Sequence, residues 1–380
     1  MATNPTVTVK YRNQPSATIN TITVPIQRVG WQVGRQNITD NWSSGSGTIF
    51  GRKPDDLFGA SRTTGPTIGD PIAVIVSDGS GQNAYFFGAV QDVRIVYGFT
   101  TALDTWEILI QGRYGTTGRN ITTITTLANT STLDFADKIA TAMTTAETVY
   151  SLSGWGSTTS AQTYSSQVSD AVDSLMATEQ GAVVEYGQDS GGTLDAYVKL
   201  CSRNDPDLYG LAQNVLSDTT STVYGVTPKK YNAITFLSAN QNYSTKVNVA
   251  ATGLATQSSG SGRQVYSIST INSTTTEAAN IAAAVKTQLD ANVKTPYTVT
   301  FAGSNNSVAC SSLGDANQIK KAAVLVFRGT QFNMSIEGLQ FDATPEDWEC
   351  TWTLATGTTQ AWFRLDNQMF GVLDTSRLGY

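Results

Sequence analysis

Residues 22–37, Ile-Thr-Val-Pro-Ile-Gln-Arg-Val-Gly-Trp-Gln-Val-Gly-Arg-Gln-Asn, constrain the fold more than any other stretch. Ile22, Val24 and Ile26 alternate strictly, which is the period of a half-buried strand. Val29, Trp31 and Val33 extend the supply of branched and aromatic side chains that fit a pleated surface. Gly30 and Gly34 bracket Trp31, and glycine inside a strand marks a bulge or a close backbone approach. The stretch reads as an opening strand with a bulged edge, turning over 36–40.

Other segments share this β character. Residues 41–47 are a flexible Gly/Ser loop by composition, and a short strand over 48–50 ends at 51–56. Asp70-Pro71 opens a strand over 72–76, and Asp78-Gly79-Ser80-Gly81 turns it into a return strand over 85–93. Across 105–112 the alternation places Trp106, Ile108 and Ile110 on one face. Together these predict a first small barrel or sandwich, residues 1–119, with a polar arm or edge strand over 1–19.

The texture then changes. Thr132 caps a predicted helix with Phe135, Ile139, Ala142, Met143 and Ala146 as its stripe. Ser165 caps a second, with Val168, Ala171, Val172, Leu175 and Met176 inward and Gly181 ending it. A hairpin follows, with strands over 182–186 and 194–200 and a loop over 187–192, closing an α/β unit over 120–205. Glu179, Glu185 and Asp195 are candidates for paired catalytic carboxylates, but they read as residues of solvated helix and strand ends.

Asn204-Asp205-Pro206-Asp207 signals a linker. Strands are predicted over 233–237, 246–250 and 265–268. Thr274 and Glu277 then form a capping box for a helix over 274–291, with Ala278, Ile281, Val285 and Leu289 inward. Strands over 296–301, 322–327, 334–339 and 348–354 complete a second barrel, residues 206–360. Residues 361–380 are too aromatic for a loose tail and must pack on this chain or on a neighbour.

Composition narrows the chemistry. At 380 residues, two or three domains are expected. Charged residues make up 14% against 40% hydrophobic, so hydroxyls carry the surface polarity, which suits a protein pressed against neighbours. The net charge is −6, and Lys229-Lys230 and Lys320-Lys321 are isolated pairs, not the clustered cations that tight nucleic-acid binding needs. The chain has no histidine, which removes Ser-His-Asp and Cys-His sites and the commonest metal ligand. Cys201, Cys310 and Cys350 show no zinc-ligand spacing and read as reduced, partly buried thiols. No catalytic, metal or cofactor site is expected. Without a leader pattern or a spanning apolar run, a soluble, non-exported protein with no membrane span is expected.

The order of parts resembles the tail hub, or minor tail protein, of tailed bacteriophages, similar to the baseplate hubs of contractile-tailed phages. The residues that carry the resemblance are Trp31, Gly34 and Arg35 after the opening strand, Gly69-Asp70-Pro71, and Phe86-Phe87-Gly88. Thr178-Glu179-Gln180-Gly181 and Ser202-Arg203 follow in the inserted unit. Glu337-Gly338 and Thr344-Pro345-Glu346-Asp347-Trp348 close the second barrel, and the tail supplies Trp362, Leu365-Asp366, Phe370-Gly371, Leu373 and Arg377-Leu378-Gly379. Residues 50–55 depart from the Leu-x-Asn-x-Asp stretch that the family carries there.

The resemblance implies an α+β, mainly β fold: two tail-tube-like β-barrels with an inserted α/β domain. It implies a homotrimer whose six barrels form a pseudo-hexameric ring at the virion's tail tip, assembled in the host cytoplasm. A tail tube or distal tail protein would sit above and a tail-tip spike or fibre protein below. DNA would pass through the lumen without specific binding, past a wall enriched in Asp and Glu. Trp362, Leu365, Asp366, Phe370, Leu373, Arg377, Leu378 and Tyr380 are the candidate inter-subunit contacts. The alternative is a distal tail or receptor-binding protein with a carbohydrate-binding barrel, served by Trp42 and Trp155 in their Gly/Ser loops. A carboxylate-only glycosidase is the one enzyme class that a chain without histidine leaves open.

Overall fold

A computed structural model of the chain describes residues 4–13, 18–36, 40–81, 83–143, 148–150, 155–190, 193–202, 214–217, 228–238, 246–250, 254–258, 265–289, 294–305 and 309–356. The expected linker at 204–207 and the contact segment at 361–380 lie outside the described residues.

The first part of the chain forms β1 (Thr6–Arg12), β2 (Ile19–Thr21), β3 (Ile26–Gly34), β4 (Ser43–Arg52), α1 (Pro54–Phe58), β5 (Pro71–Ser77), β6 (Asn83–Val96) and β7 (Thr105–Gly112). Next come α2 (Arg113–Thr117), β8 (Ile124–Thr126), β9 (Thr130–Ser131), α3 (Thr132–Ala142), β10 (Thr148–Tyr150), β11 (Thr158–Thr159) and β12 (Gln162–Tyr164). Then follow α4 (Val168–Glu179), β13 (Ala182–Ser190) and β14 (Thr193–Cys201). Beyond it lie β15 (Asn214–Ser217), β16 (Lys229–Lys230), β17 (Ala233–Ser238), β18 (Lys246–Ala250), β19 (Leu254–Ser258), β20 (Val265–Ser269) and α5 (Thr275–Leu289). The last elements are β21 (Lys294–Ala302), α6 (Ser311–Gly314), β22 (Ala322–Phe327), β23 (Thr330–Ala343) and β24 (Trp348–Thr356).

The fold is mainly β, and no closed barrel forms among the described residues. Strands expected in two barrels instead join one 14-stranded sheet through the antiparallel pairing of β3 with β23. Within it, β17–β21–β24–β23–β3–β4–β7–β6 are hydrogen-bonded in that order, every pair antiparallel. β3 is therefore a central strand, not an edge. Its expected bulges are present, at Ile26/Arg28 and Gln32/Gly34. The hydrogen-bonding capacity of both its sides is filled, by β4 and β23, which is why so β-prone a segment sits mid-sheet.

Alternation then sorts side chains onto two faces. Val29, Trp31, Val33, Ile49, Trp106, Ile108, Ile110, Phe341 and Trp352 are buried on the inner face. Trp31 stacks on Phe341 at 4.3 Å between ring centroids and faces Phe86 at 6.2 Å, and Phe341 stacks on Trp348 at 5.9 Å. This aromatic row crosses the β3–β23 junction, so each half of the sheet buries the other half's rings. The indole nitrogens keep partners: Trp31 Nε1 donates to Gly314 O at 3.1 Å and Trp352 Nε1 to Leu313 O at 2.8 Å.

Residues 43–47, expected as a loop, are strand. Gly45 and Gly47 are there because a Cβ at either would stand 2.9 Å from the Phe86 ring. α3 and α4 form where the periodicity predicts, with Ser131, not Thr132, as the first helix's cap: its side chain accepts from Leu133 N at 3.1 Å. β13 and β14 pair through Ser190↔Thr193, so the hairpin loop is shorter than expected. Most buried side chains of α3, α4, β13 and β14 belong to the same contiguous core as the large sheet, while Leu194 of β14 packs with Ala73 and Phe87 on the other side. α5 spans the third predicted helix, and Glu277 N donates to Thr274 Oγ1 at 3.2 Å, half of the expected box. All three cysteines are free and buried.

Candidate functional site

Two features of the fold bear on function: the outer face of the sheet and a buried polar junction beneath its centre. On the outer face, paired positions of neighbouring strands make a row of neutral hydroxyls and amides: Thr300, Thr351, Gln340, Gln32, Ser46 and Gln111. Thr300 and Thr351 hydroxyls lie 3.0 Å apart. A hollow of 650 Å³ on this face is lined by Arg28, Gly30, Gln32, Thr48, Glu107 and Asp342, among others. The charges are mostly compensated: Arg28 Nη2 meets Asp342 Oδ1 at 2.7 Å, and Arg94 meets Asp92 at 3.2 Å and Glu107 at 3.4 Å. Exposed ion pairs of this kind hold little energy. They leave a polar surface without a strong field of either sign.

The junction gathers residues that sequence order keeps far apart. Gly34, with φ +84°, turns β3 so that Arg35 points inward, and a Cβ there would stand 2.3 Å from the Glu337 carbonyl oxygen. Arg35 Nε donates to Glu337 Oε2 at 2.8 Å, and Lys320 Nζ and Ser335 Oγ each donate to Glu337 Oε1 at 2.7 Å. Burial opposes ionisation of Glu337, but Lys320 and Arg35 together hold its carboxyl down at about 2. Trp42 roofs the cluster: Arg35 lies 4.8 Å and Lys320 Nζ 5.7 Å from its ring centroid. Its Nε1 donates to Gly181 O at 3.1 Å, which ties the end of α4 to the group.

A second buried carboxylate ties β13 to β4 and α2. Glu185 accepts from Gly45 N, from Tyr114 N at 2.5 Å and from Ser44 Oγ at 3.2 Å. Burial pushes its carboxyl up to about 7 against the lowering effect of those donors. A third, Glu179, accepts from Thr132 Oγ1 and from Ser157 N at 3.0 Å.

Glu179 and Glu185 are therefore buried acceptors, not the solvated chain ends that the sequence suggests. Each accepts hydrogen bonds from donors of its own chain, an arrangement that fixes local structure. Trp42, expected in an exposed loop, is buried, so it offers no carbohydrate platform, and Trp155 packs half-buried against the core. Of the resemblance motifs, Gly34, Arg35, Gly181, Glu337 and Gly338 meet at the junction, while Trp31 lies further along β3 against Phe341. Asp70 is buried and accepts from Thr67 N at 2.8 Å and Asn13 Nδ2 at 3.0 Å, shaping the turn into β5. Sequence reading misses Lys320 and Ser335; the Lys320-Lys321 pair just before the apolar run of β22 is the one sign of the former. The contact residues expected at Trp362, Leu365, Asp366, Phe370, Leu373, Arg377, Leu378 and Tyr380 lie outside the described residues. No group of acids, cysteines or histidines among the described residues could hold a metal ion, and no described helix is long and apolar enough to cross a membrane.

With this geometry in place, the chain has the fold of phage tail proteins. It superposes on a tail protein from Neisseria meningitidis MC58 with a TM-score of 0.59 at 10% identity, covering 93% of this chain and 96% of that one. The 43 kDa tail protein of prophage MuSo2 from Shewanella oneidensis matches with a TM-score of 0.55 at 14% identity, covering 92% of this chain and 97% of that one. The E. coli c3393 protein, a type VI secretion component described as similar to the T4 tail proteins gp27 and gp5, matches with a TM-score of 0.52 at 10% identity, covering 92% and 77%. No family model and no curated protein matches the sequence.

Proposed function

We propose that this protein is a structural component of a phage tail, a hub whose three copies form a ring between the tail tube and the tail tip. The observation that carries the reading is the single sheet that runs from β17 to β6 with one apolar face and one open, neutral polar face. Among the described residues one copy leaves this sheet unclosed; copies arranged about an axis supply the closure, and the open face becomes the wall of a channel.

A wall of hydroxyls and amides suits passing DNA, since it offers no cations to phosphates. Asp92, Glu107, Asp342 and Glu349 face Arg28, Arg52 and Arg94 there, a single-charge excess. The expected enrichment in carboxylates is therefore slight on this face, and low adhesion rests on neutrality more than on repulsion. In this reading the domains are 1–119, 120–205 and 206–360, with the aromatic segment 361–380 as a clamp on a neighbouring protomer or tail protein. A tube or distal tail protein lies above, a spike or fibre protein below, and the chain has no catalytic role.

Negative-stain microscopy of the purified full chain tests the reading. Three-fold particles with an axial hole are expected; a compact monomer at every concentration overturns it.

A further inference from the structure

Three carboxylates converge on one buried tyrosine where α4 and β13 meet β4 and α2. Tyr114 of α2 is 5% exposed, and its Oη is buried without a partner. Burial first, then Asp173, Glu185 and Asp170, push its phenol up, so all three acids lie close enough to act on it. Glu185 comes from β13, and Asp170 and Asp173 from α4.

Glu185 enters between two backbones. A Cβ on Gly112 would stand 2.5 Å from its carboxyl oxygens, and one on Gly45 2.8 Å away, so glycine at both positions leaves it room. Its partners, the amides of Gly45 and Tyr114 and the Ser44 hydroxyl, are neutral donors. Asp173 accepts from Asn41 Nδ2 at 2.9 Å through Oδ2, while its Oδ1 is buried without a partner.

The charged groups of the surrounding elements do not offset these acids. On β14, Lys199 pairs with Val184, so it points to the face opposite Glu185 and acts on Tyr186. Arg35 and Lys320 are engaged by Glu337. Beside the turn at 316–318, which also packs on β13, Asp315 and Lys321 act on one another. On α3, Asp134, Asp137 and Lys138 are exposed, and Lys138 donates to Thr125 O. Glu179, at the end of α4, is held by Thr132 and Ser157. β3, β4 and β6 face the seam with Val33, Gly45 and Phe86. Arg113 is the cation of α2, yet besides burial the groups that shift Glu185 and Asp173 are neutral donors and Asp170.

We infer that this seam is an acid-tightened latch: protonated, its acids hold α4 and β13 against β4 and α2, and charging them as pH rises toward neutrality loosens that contact. Burial pushes Glu185 up to about 7, and burial together with Asp170 pushes Asp173 up to about 6. Both lie above their ordinary 4.5 and 3.8, so the hold is complete below about pH 4 and is lost as pH rises through those folded values. The junction has the opposite sign, since Glu337 is held down at about 2 and stays ionised across this range. The bond from Trp42 Nε1 to Gly181 O lies beside it, so Gly181 is the fixed end about which α4 and β13 loosen.

Hydrogen exchange of the full chain at about pH 5 and about pH 7.5, corrected for the pH dependence of the chemical step, tests the latch. The amides of Gly45 and Tyr114 donate to Glu185 and report on the seam; residues 339–341, in mid-sheet, are the reference. Opening at 43–46 and 113–116 is expected to rise about tenfold or more between the two conditions, with 339–341 unchanged. Glu185→Gln combined with Asp173→Asn removes both charges, and opening at the seam should then be equal at both pH values. Asp173→Asn alone keeps an acceptor for Asn41 and decides the matter if the double variant does not fold: it should cut the rise severalfold. Opening that ignores pH in the unsubstituted protein, a rise shared by 339–341, or an undiminished rise in the variants overturns the latch.

Discussion

Arg35 Nε donates to Glu337 Oε2 at 2.8 Å, and Arg35 N donates to the Glu337 carbonyl at 2.9 Å, across a sequence separation of 302 residues. Side chain and backbone of the same two residues thus lock together the two halves of the sheet. The pair sits at the end of the β3–β23 ladder, next to Gly338↔Gly34. It binds the first part of the chain to the last, while Trp42 carries the connection on to the end of α4 through Gly181.

Replacing Glu337 by Ala strands Arg35 and Lys320 as buried cations, with side chains only 12% and 9% exposed. Removing one partner of such a group costs about 3–5 kcal/mol, and urea unfolding of the variant should show a loss of that size. Glu337→Gln keeps one acceptor and should lose less. The acid limb of stability follows from the same carboxyl. Its folded value lies below its ordinary 4.5, so its contribution is complete above pH 4.5 and disappears as pH falls toward about 2.

Glu185 has the opposite sign. Its folded value is raised from 4.5 to about 7, so its contribution is complete below pH 4.5 and is lost as pH rises through about 7. A shift of this size is worth at most about 3 kcal/mol. Glu185→Gln should flatten the decline between those limits. It should also lower stability at pH 4.5 by about 1–3 kcal/mol, because its amide group meets a backbone donor where Glu185 accepted one. Thermal unfolding across pH 4–8, compared between the two proteins, reads both effects. An unchanged slope would show that Glu185 does not titrate in this window.

Much of the local structure is legible in the sequence. Period-two segments such as β7 and β24 declare their buried faces, and the three-and-four spacing of α3 and α4 does the same, because a single element's pattern records which side meets the core. What partners what is another matter. Nothing local in 22–37 says that its second side belongs to a strand some 300 residues on, so β3 reads as an edge. Gly45 and Gly47 look like a loop because composition cannot record the Phe86 ring that fills the missing side-chain space. Glu179, Glu185 and Trp42 look solvent-facing for the same reason: their burial is set by distant donors and acceptors.

Gly187 offers a steric check on how β13 sits against β6. A Cβ there would stand 2.0 Å from the Phe87 ring, too close for any rotamer of a well-packed aromatic to relieve without a backbone shift. Gly187→Ala should therefore destabilise the chain by about 1–3 kcal/mol. Pairing it with Phe87→Leu, which clears the ring, should recover part of the loss. A double-mutant cycle in chemical denaturation measures the coupling, and strict additivity would show that strand β13 does not press on this ring.

The neutrality of the open face can be changed without touching the core. Gln32, Gln340 and Thr351 project from adjacent strands at paired positions, so lysine at all three builds a compact basic patch on the outer face. Surface substitutions of this kind shift stability by only about 0.5 kcal/mol each, so the protein should still fold and assemble. If this face is the channel wall, three copies bring nine new cations around one axis. The assembled ring should then retain double-stranded DNA at low salt, with an affinity that falls steeply as salt rises because condensed counterions are released on binding. The unsubstituted protein should show no such retention under the same conditions. Filter binding across a salt series separates the two. Equal, weak binding by both proteins would mean that the face does not surround the nucleic acid, whatever the oligomer's shape.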